Sequence, residues 1–218
     1  GLVYGEDPRQ GFLENNVFYH PQMKFQFNVP VSWKYQNTPQ RVQMAPQDGQ
    51  ALMYLSGGAA KSLEEAGQAF LQQNGLQLLE QKQTTINGYK TLVVLADTRP
   101  DPQQPQQQQA PLRTIAYFYQ FDKDILMMMG VSAAATFSQY QNSFVNTMQS
   151  FKKLTDAAKI NKKPERVRIK TVAANGTLAQ AFKYFKVADK RMEELAILNG
   201  MQQTDKVTKG MLIKVIEY

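Results

Sequence analysis

Histidine is the side chain best suited to acid–base or metal chemistry near neutral pH, and this chain of 218 residues has one, His20. A hydrolytic zinc site takes two or three histidines with a carboxylate at fixed spacing, so His20 alone assembles none. Cysteine is absent, which removes disulfides, thiolate nucleophiles and sulfur-ligated metals together. The sequence contains no H-E-x-x-H, G-x-S-x-G, G-x-x-x-x-G-K-[ST] or G-x-G-x-x-G. A Ser-His-Asp arrangement would have to recruit His20, which stands before Pro21 in a turn-like stretch. The run Met127-Met128-Met129 could suggest copper, but strand alternation sends neighbours to opposite faces, and a buried strand is expected. The expectation is a chain that is not an enzyme and holds no metal or organic cofactor, serving to bind or to position.

Charge offers the next candidate chemistry. The formal net charge is +7, unevenly spread: residues 1–155 carry 12 Lys/Arg against 11 Asp/Glu, and residues 156–218 carry 13 against 7. Lys162, Lys163, Arg166, Arg168 and Lys170 form a basic strip that could meet nucleic acid, wall polymers or lipid headgroups. Few aromatics interleave with it, so base stacking is not expected, and a solvated strand face accounts for the same pattern. No run of about 18 apolar residues exists, so no transmembrane segment is expected, and the opening residues carry no signal-peptide pattern.

These candidates must be held by folded elements, and 12 Phe, 10 Tyr and 10 Met supply the apolar surface. Residues 24–29 alternate polar and apolar up to Pro30, and 51–56 form a short strand closed by Gly57-Gly58. Ser62-Leu63-Glu64-Glu65 reads as a capping box opening a helix that buries Leu63, Ala66, Phe70 and Leu71 and ends at Asn74-Gly75. Asn87-Gly88 and Asp122-Lys123-Asp124 join hairpins over 76–96 and 114–131. Phe137, Tyr140, Phe144, Met148 and Phe151 make one helical stripe. Arg99 to Gln109, rich in Pro and Gln, is expected to be mobile. After 166–172, Thr177 and Asp189 can cap two helices, the second closed by Asn199-Gly200, before a returning strand at 211–216. The fold class is therefore α+β. An antiparallel sheet with packed helices is followed by a small βααβ domain. The expected divisions are a leader at 1–20, an α/β sandwich at 21–156, a linker at 157–165 and the small domain at 166–218.

Three resemblances refine this. Val172, Thr177-Leu178, Leu195 to Asn199-Gly200-Met201, and Gly210-Met211-Leu212-Ile213 resemble a LysM module, although Asn175-Gly176 stands where the LysM first turn has Gly-Asp. That resemblance implies a groove for N-acetylglucosamine chains lined by Thr177, Leu178, Asn199, Gly200 and Met201. Phe25-Gln26-Phe27-Asn28-Val29-Pro30 with Trp33 resembles the start of PsbP-like α/β sandwiches. Leu2 to Phe12, Phe18-Tyr19-His20-Pro21 and 25–30 resemble the stretch beyond the catalytic domain in bacterial zinc metallopeptidases of family 48, relatives of the CaaX-prenyl protease. This last resemblance implies a non-catalytic accessory region, periplasmic or associated with the cell envelope. Its partners would be the parent chain's own protease domain and possibly peptidoglycan or an envelope protein, with zinc confined to that other domain. A peptidoglycan-binding module and nonspecific polyanion binding by the basic tail stand as alternatives; nucleic acid is not the expected partner.

Overall fold

The computed structural model describes residues 1–100, 103 and 110–218, and the expectation for the Pro/Gln-rich stretch lies mostly outside them. The chain divides into two compact units. One is Gly11–Ile160; the other joins Gly1–Gln10 to Asn161–Tyr218. The segment expected as a leader is thus split, its first ten residues lying with the C-terminal unit and the rest forming strands of the larger one.

The larger unit runs β1 (Phe12–Glu14), β2 (Val17–His20), β3 (Phe25–Asn28), β4 (Lys34–Asn37), β5 (Arg41–Ala45), β6 (Ala51–Gly58), α1 (Leu63–Gln73), β7 (Leu76–Ile86), β8 (Tyr89–Thr98), β9 (Leu112–Phe121), β10 (Asp124–Ala133), α2 (Phe137–Ser150), β11 (Lys152–Lys153) and α3 (Ala157–Ile160). Its strands form two antiparallel sheets, β1-β2-β3-β11 and β4-β5-β6-β10-β9-β8-β7. The fold class is α+β with antiparallel sheets and packed helices, as the alternation indicated.

Period-two burial explains how the large sheet is covered on both faces. Met128 points into a core with α2 and the small sheet's Phe18, Phe25 and Phe27, while Met127 and Met129 pack on the opposite side with Leu63, Ala66 and Phe70 of α1. The Met run is therefore strand, with its thioethers divided between two cores. Ser62 accepts from the Glu65 amide at 3.1 Å, but the Glu65 carboxylate takes the Lys61 N–H, one residue beyond the expected box partner. Asn87 and Gly88 both adopt positive φ, 48° and 90°, as a two-residue hairpin turn requires.

The end of α2 gathers these parts. A helix leaves its last carbonyls without intrahelical donors, and here they lie near the core. The Tyr119 hydroxyl, on β9, donates to Met148 O at 2.5 Å, and the Ser150 hydroxyl donates to Thr147 O at 2.6 Å. The Asn87 side-chain amide donates to Gln149 O and Phe151 O at 3.1 and 2.8 Å. Ser150 Oγ in turn accepts the Asn28 N–H of the small sheet at 2.8 Å. Phe151 stacks on Tyr119 with ring centroids 4.2 Å apart and on Phe25 at 5.4 Å.

The smaller unit contains β12 (Arg166–Thr171), β13 (Gly176–Thr177), α4 (Leu178–Tyr184), α5 (Met192–Leu198), β14 (Lys206–Val207) and β15 (Leu212–Glu217). β12 pairs antiparallel with β15 and β13 with β14, so the arrangement is βααβ with a second, two-residue ladder between its loops. Thr177 caps α4 through a full box with Gln180. Asp189 does not cap α5; it opens a 3-10 turn that runs into the helix, and the residue at the cap, Arg191, makes no side-chain capping bond. On the other edge of β12, Val3 bridges Arg166, with Val167 N–H donating to Leu2 O and Tyr4 N–H to Glu165 O.

One core position tests the packing directly. A Cβ placed on Gly130 of β10 would lie 2.6 Å from the fully buried ring of Phe144. Gly130→Ala is expected to destabilise the larger unit by about 1–3 kcal/mol, measured by denaturant unfolding, because the ring has no vacant space to move into.

Candidate functional site

The five positions assigned to a glycan groove do not form one exposed surface. Leu178 has 0% exposure and belongs to the core of the smaller unit with Phe182, Leu195 and Val215, so it offers no face to a sugar. The Thr177 hydroxyl is committed to the Gln180 N–H at 3.2 Å. Asn199, the C-cap of α5, donates to Leu195 O and Lys214 O at 2.8 and 2.9 Å and accepts from Lys214 N–H at 2.8 Å. Both ends of its amide thus tie the helix to β15. Gly200 is exposed at φ 65°, and Met201 is half-buried against the core. The loops themselves do meet: Leu178 N–H donates to Asp205 O at 2.8 Å and Ala179 N–H to Gln203 O at 3.0 Å. What remains presentable beside them is Ala173, Ala174, Asn175 and Thr204.

The basic strip is also rearranged. Residues directly opposite on antiparallel strands share a face, and Arg168 is opposite Val215 and Lys170 opposite Ile213, both core residues. The cationic side of β12 is therefore the side turned toward the helices, not a solvated face. Arg166, Arg168 and Lys170 sit half-buried at its margin, and Lys170 pairs with Glu217 at 2.8 Å. The Arg166 guanidinium donates to Gly1 O at 2.9 Å. Lys162 is half-buried and Lys163 exposed.

The opposite face of the same strands is largely open and carries exposed aliphatic residues. Val167, Ile169 and Thr171 of β12 share it with Ile216, Lys214 and Leu212 of β15, and Leu2 lies beside Val167. Exposure is 58% at Ile169, 64% at Leu212 and 81% at Leu2. Sequence alternation marked the two faces of β12 but carried no sign of which faced the core.

An ionic cluster holds the first residues in place, and sequence reasoning missed it. Arg191 binds Glu165 through two nitrogens at 2.8 and 3.0 Å and also pairs with Glu194, which accepts from the Tyr4 hydroxyl at 2.9 Å. These bonds to Arg191 hold both carboxyls below their usual range and raise the Arg191 pKa, while the Glu194 bond raises that of Tyr4. No spacing rule joins Tyr4 to a position 190 residues later.

The larger unit has a cleft and the single histidine. A cleft of about 560 Å³ lies at the start of α1, lined by Lys61, Ser62, Glu64, Gln83, Lys90 and Thr91 among others. Gln83 donates to Glu64 across it at 2.8 Å, and the Ser62 hydroxyl serves the helix cap. His20 accepts the Met23 N–H on Nδ1 at 3.1 Å and stacks on Phe25 at 5.1 Å. Among the described residues no three His, Cys, Asp or Glu come together as a metal site. No helix among them is long and apolar enough to cross a membrane.

No family model matches this chain, and a search of curated proteins returns no match. The resemblances to family-48 peptidases and LysM modules therefore rest on the residues that carry them. Solved structures similar to the chain include a cyanobacterial PsbP from Synechocystis sp. PCC 6803, with TM-score 0.45, 11% identity, and coverage of 62% of this chain and 89% of that one. The Saccharomyces cerevisiae Ran-binding protein Mog1p gives 0.48 and 12%, covering 68% and 99%. LpqN, involved in cell envelope biogenesis of Mycobacterium tuberculosis, gives 0.40 and 10%, covering 60% and 83%.

Two outcomes follow from these geometries. Asn199→Ala removes three hydrogen bonds and leaves Lys214 N–H and O without their partner, so it is expected to destabilise the smaller unit by about 1–3 kcal/mol in chemical unfolding. Burial pushes the His20 pKa below its ordinary value of about 6.5. The unfolded chain then takes up this proton at higher pH than the folded one. The His20 contribution to stability is complete above about pH 6.5 and declines as pH falls toward the folded value. His20→Asn, which keeps an acceptor for Met23, is expected to flatten the fall in melting temperature as pH drops below about 6.5.

Proposed function

We propose that this chain is a non-catalytic contact region that positions a zinc metallopeptidase domain in the cell envelope, as the resemblance to family 48 implies. The observation that carries the reading is the open strand face of the smaller unit. Ile169 within β12 and Leu212 at the start of β15 are exposed large aliphatic residues that add nothing to the unit's own core, and Leu2 lies on the same side. Exposed apolar surface of this kind favours a protein interaction site. The half-buried cations at the other margin are held by Glu217 and by the main chain, which favours protein contact over polyanion binding by the tail.

Glycan binding is the second reading. Its supporting observation is that the loops before α4 and after α5 are joined by the β13–β14 ladder, where a LysM groove would lie. Such a groove would use Ala174, Gly200 and Thr204 rather than Leu178 or Asn199. One titration separates the readings. The chain is mixed with the separately produced metallopeptidase domain of its parent protein, and in parallel with peptidoglycan from about 50 to about 500 mM salt. Saturable binding to the domain, weakened at least about tenfold by Ile169→Asp with Leu212→Asp, is expected. Salt-resistant sedimentation with peptidoglycan, lost in Ala174→Trp, would transfer the function to the groove. Binding to neither would overturn both.

A further inference from the structure

We propose that β7 is a self-association edge: two copies of this chain pair β7 to β7, antiparallel, about a two-fold axis at Gln81. β7 is an outer strand of the seven-stranded sheet, bonded along its length to β8 alone among the strands. Its 11 residues are exposed from Gln77 through Thr85. A strand of that length, open on both faces, is a template for another strand, and folded proteins ordinarily shorten, twist or cover such edges.

The register of the hairpin decides which groups are available. Ile86 and Tyr89 close the two-residue turn as a hydrogen-bonded pair, so Thr84, Lys82 and Glu80 bond to β8. The main-chain N–H and C=O of Gln81, Gln83 and Thr85 then point out from the sheet. An irregularity between Leu78 and Glu80 breaks the alternation, so a ladder centred on Gln81 is regular over residues 80–82 of each copy.

Side chains select the partner and the register. With Gln81 opposite its own copy, Glu80 faces Lys82 of the second chain and Lys82 faces Glu80, two identical ion pairs in the closely spaced, non-hydrogen-bonded positions of the ladder. Among the described residues neither Glu80 nor Lys82 has an ion-pair partner within its own chain. Centring the pairing on Gln83 instead would set Glu80 against Ile86 and Lys82 against Thr84, leaving both charges unpaired. The strand is thus self-complementary in one register, the property a two-fold interface demands. Exposed Leu78 and Leu79 lie just outside residues 80–82 on each copy.

The test is sedimentation velocity of the full chain from about 1 to about 300 µM, a range that brackets weak two-fold association. Four proteins are compared: the unaltered chain, Glu80→Lys, Lys82→Glu, and both changes together. The unaltered chain is expected to dimerise with rising concentration. Each single change sets like charges opposite and is expected to weaken the dimer about tenfold, and the double change restores the pairing with charges exchanged. Both positions of substitution are exposed, and far-UV circular dichroism confirms the fold in each case. A monomer throughout for the unaltered chain overturns the proposal. So does dimerisation of equal strength in all four, or failure of the double change to recover.

Discussion

The C-terminal turn of α2 ends inside the protein, and that constraint organises the larger unit. Helix carbonyls left bare in a core would cost about 1–3 kcal/mol each, so donors must arrive from elsewhere in the chain. They come from three places: Tyr119 on the large sheet, Asn87 at a hairpin tip, and Ser150 within the helix itself. Because Ser150 also accepts from Asn28, the same turn fixes the small sheet. Phe151 fills the space these bonds leave, in contact with aromatic rings from both sheets. The two sheets and the β7–β8 hairpin therefore meet at one helix end, and Gly130 is glycine because α2 lies so close to β10.

Most of this unit was legible because its signals are local. Ser62, Asn74-Gly75 and Asn87-Gly88 act within a few residues, and the α2 stripe repeats on one helix. Burial of alternate residues gave β3 and β10. What was not legible depends on partners distant in the chain. β11 is two residues long and exists because Lys152 and Lys153 pair with β3. Asn87 reads as a turn residue, and nothing nearby says that its amide also serves a helix end more than 60 residues on.

The smaller unit shows a different limit. Alternation in β12 separates Arg166, Arg168 and Lys170 from Val167 and Ile169 correctly, but the inward side is chosen by Val215, Ile213 and Val172, all buried. With only two paired strands and two short helices, one face of the sheet is enough to close the core. The face left over is the one that carries Ile169 and Leu212. Long cationic stems tolerate the margin of a core, since their aliphatic parts pack while their ends reach acceptors such as Glu217. Isoleucine and leucine on the open side gain nothing comparable from water, so the arrangement leaves aliphatic side chains exposed on a face that alternation alone could not assign.

The candidate groups sort by the same logic. Asn199, Thr177 and Leu178 match positions of a groove, yet each is occupied in building the unit, as cap, box and core. A residue whose every polar atom already has a partner can exchange it for a ligand only by giving up the structure that holds the site. Recognition must then pass to groups the fold does not consume: the open strand face of the smaller unit, the exposed loop positions beside β13 and β14, and the free edge of β7. All three keep side-chain or main-chain groups that the fold has left open to solvent.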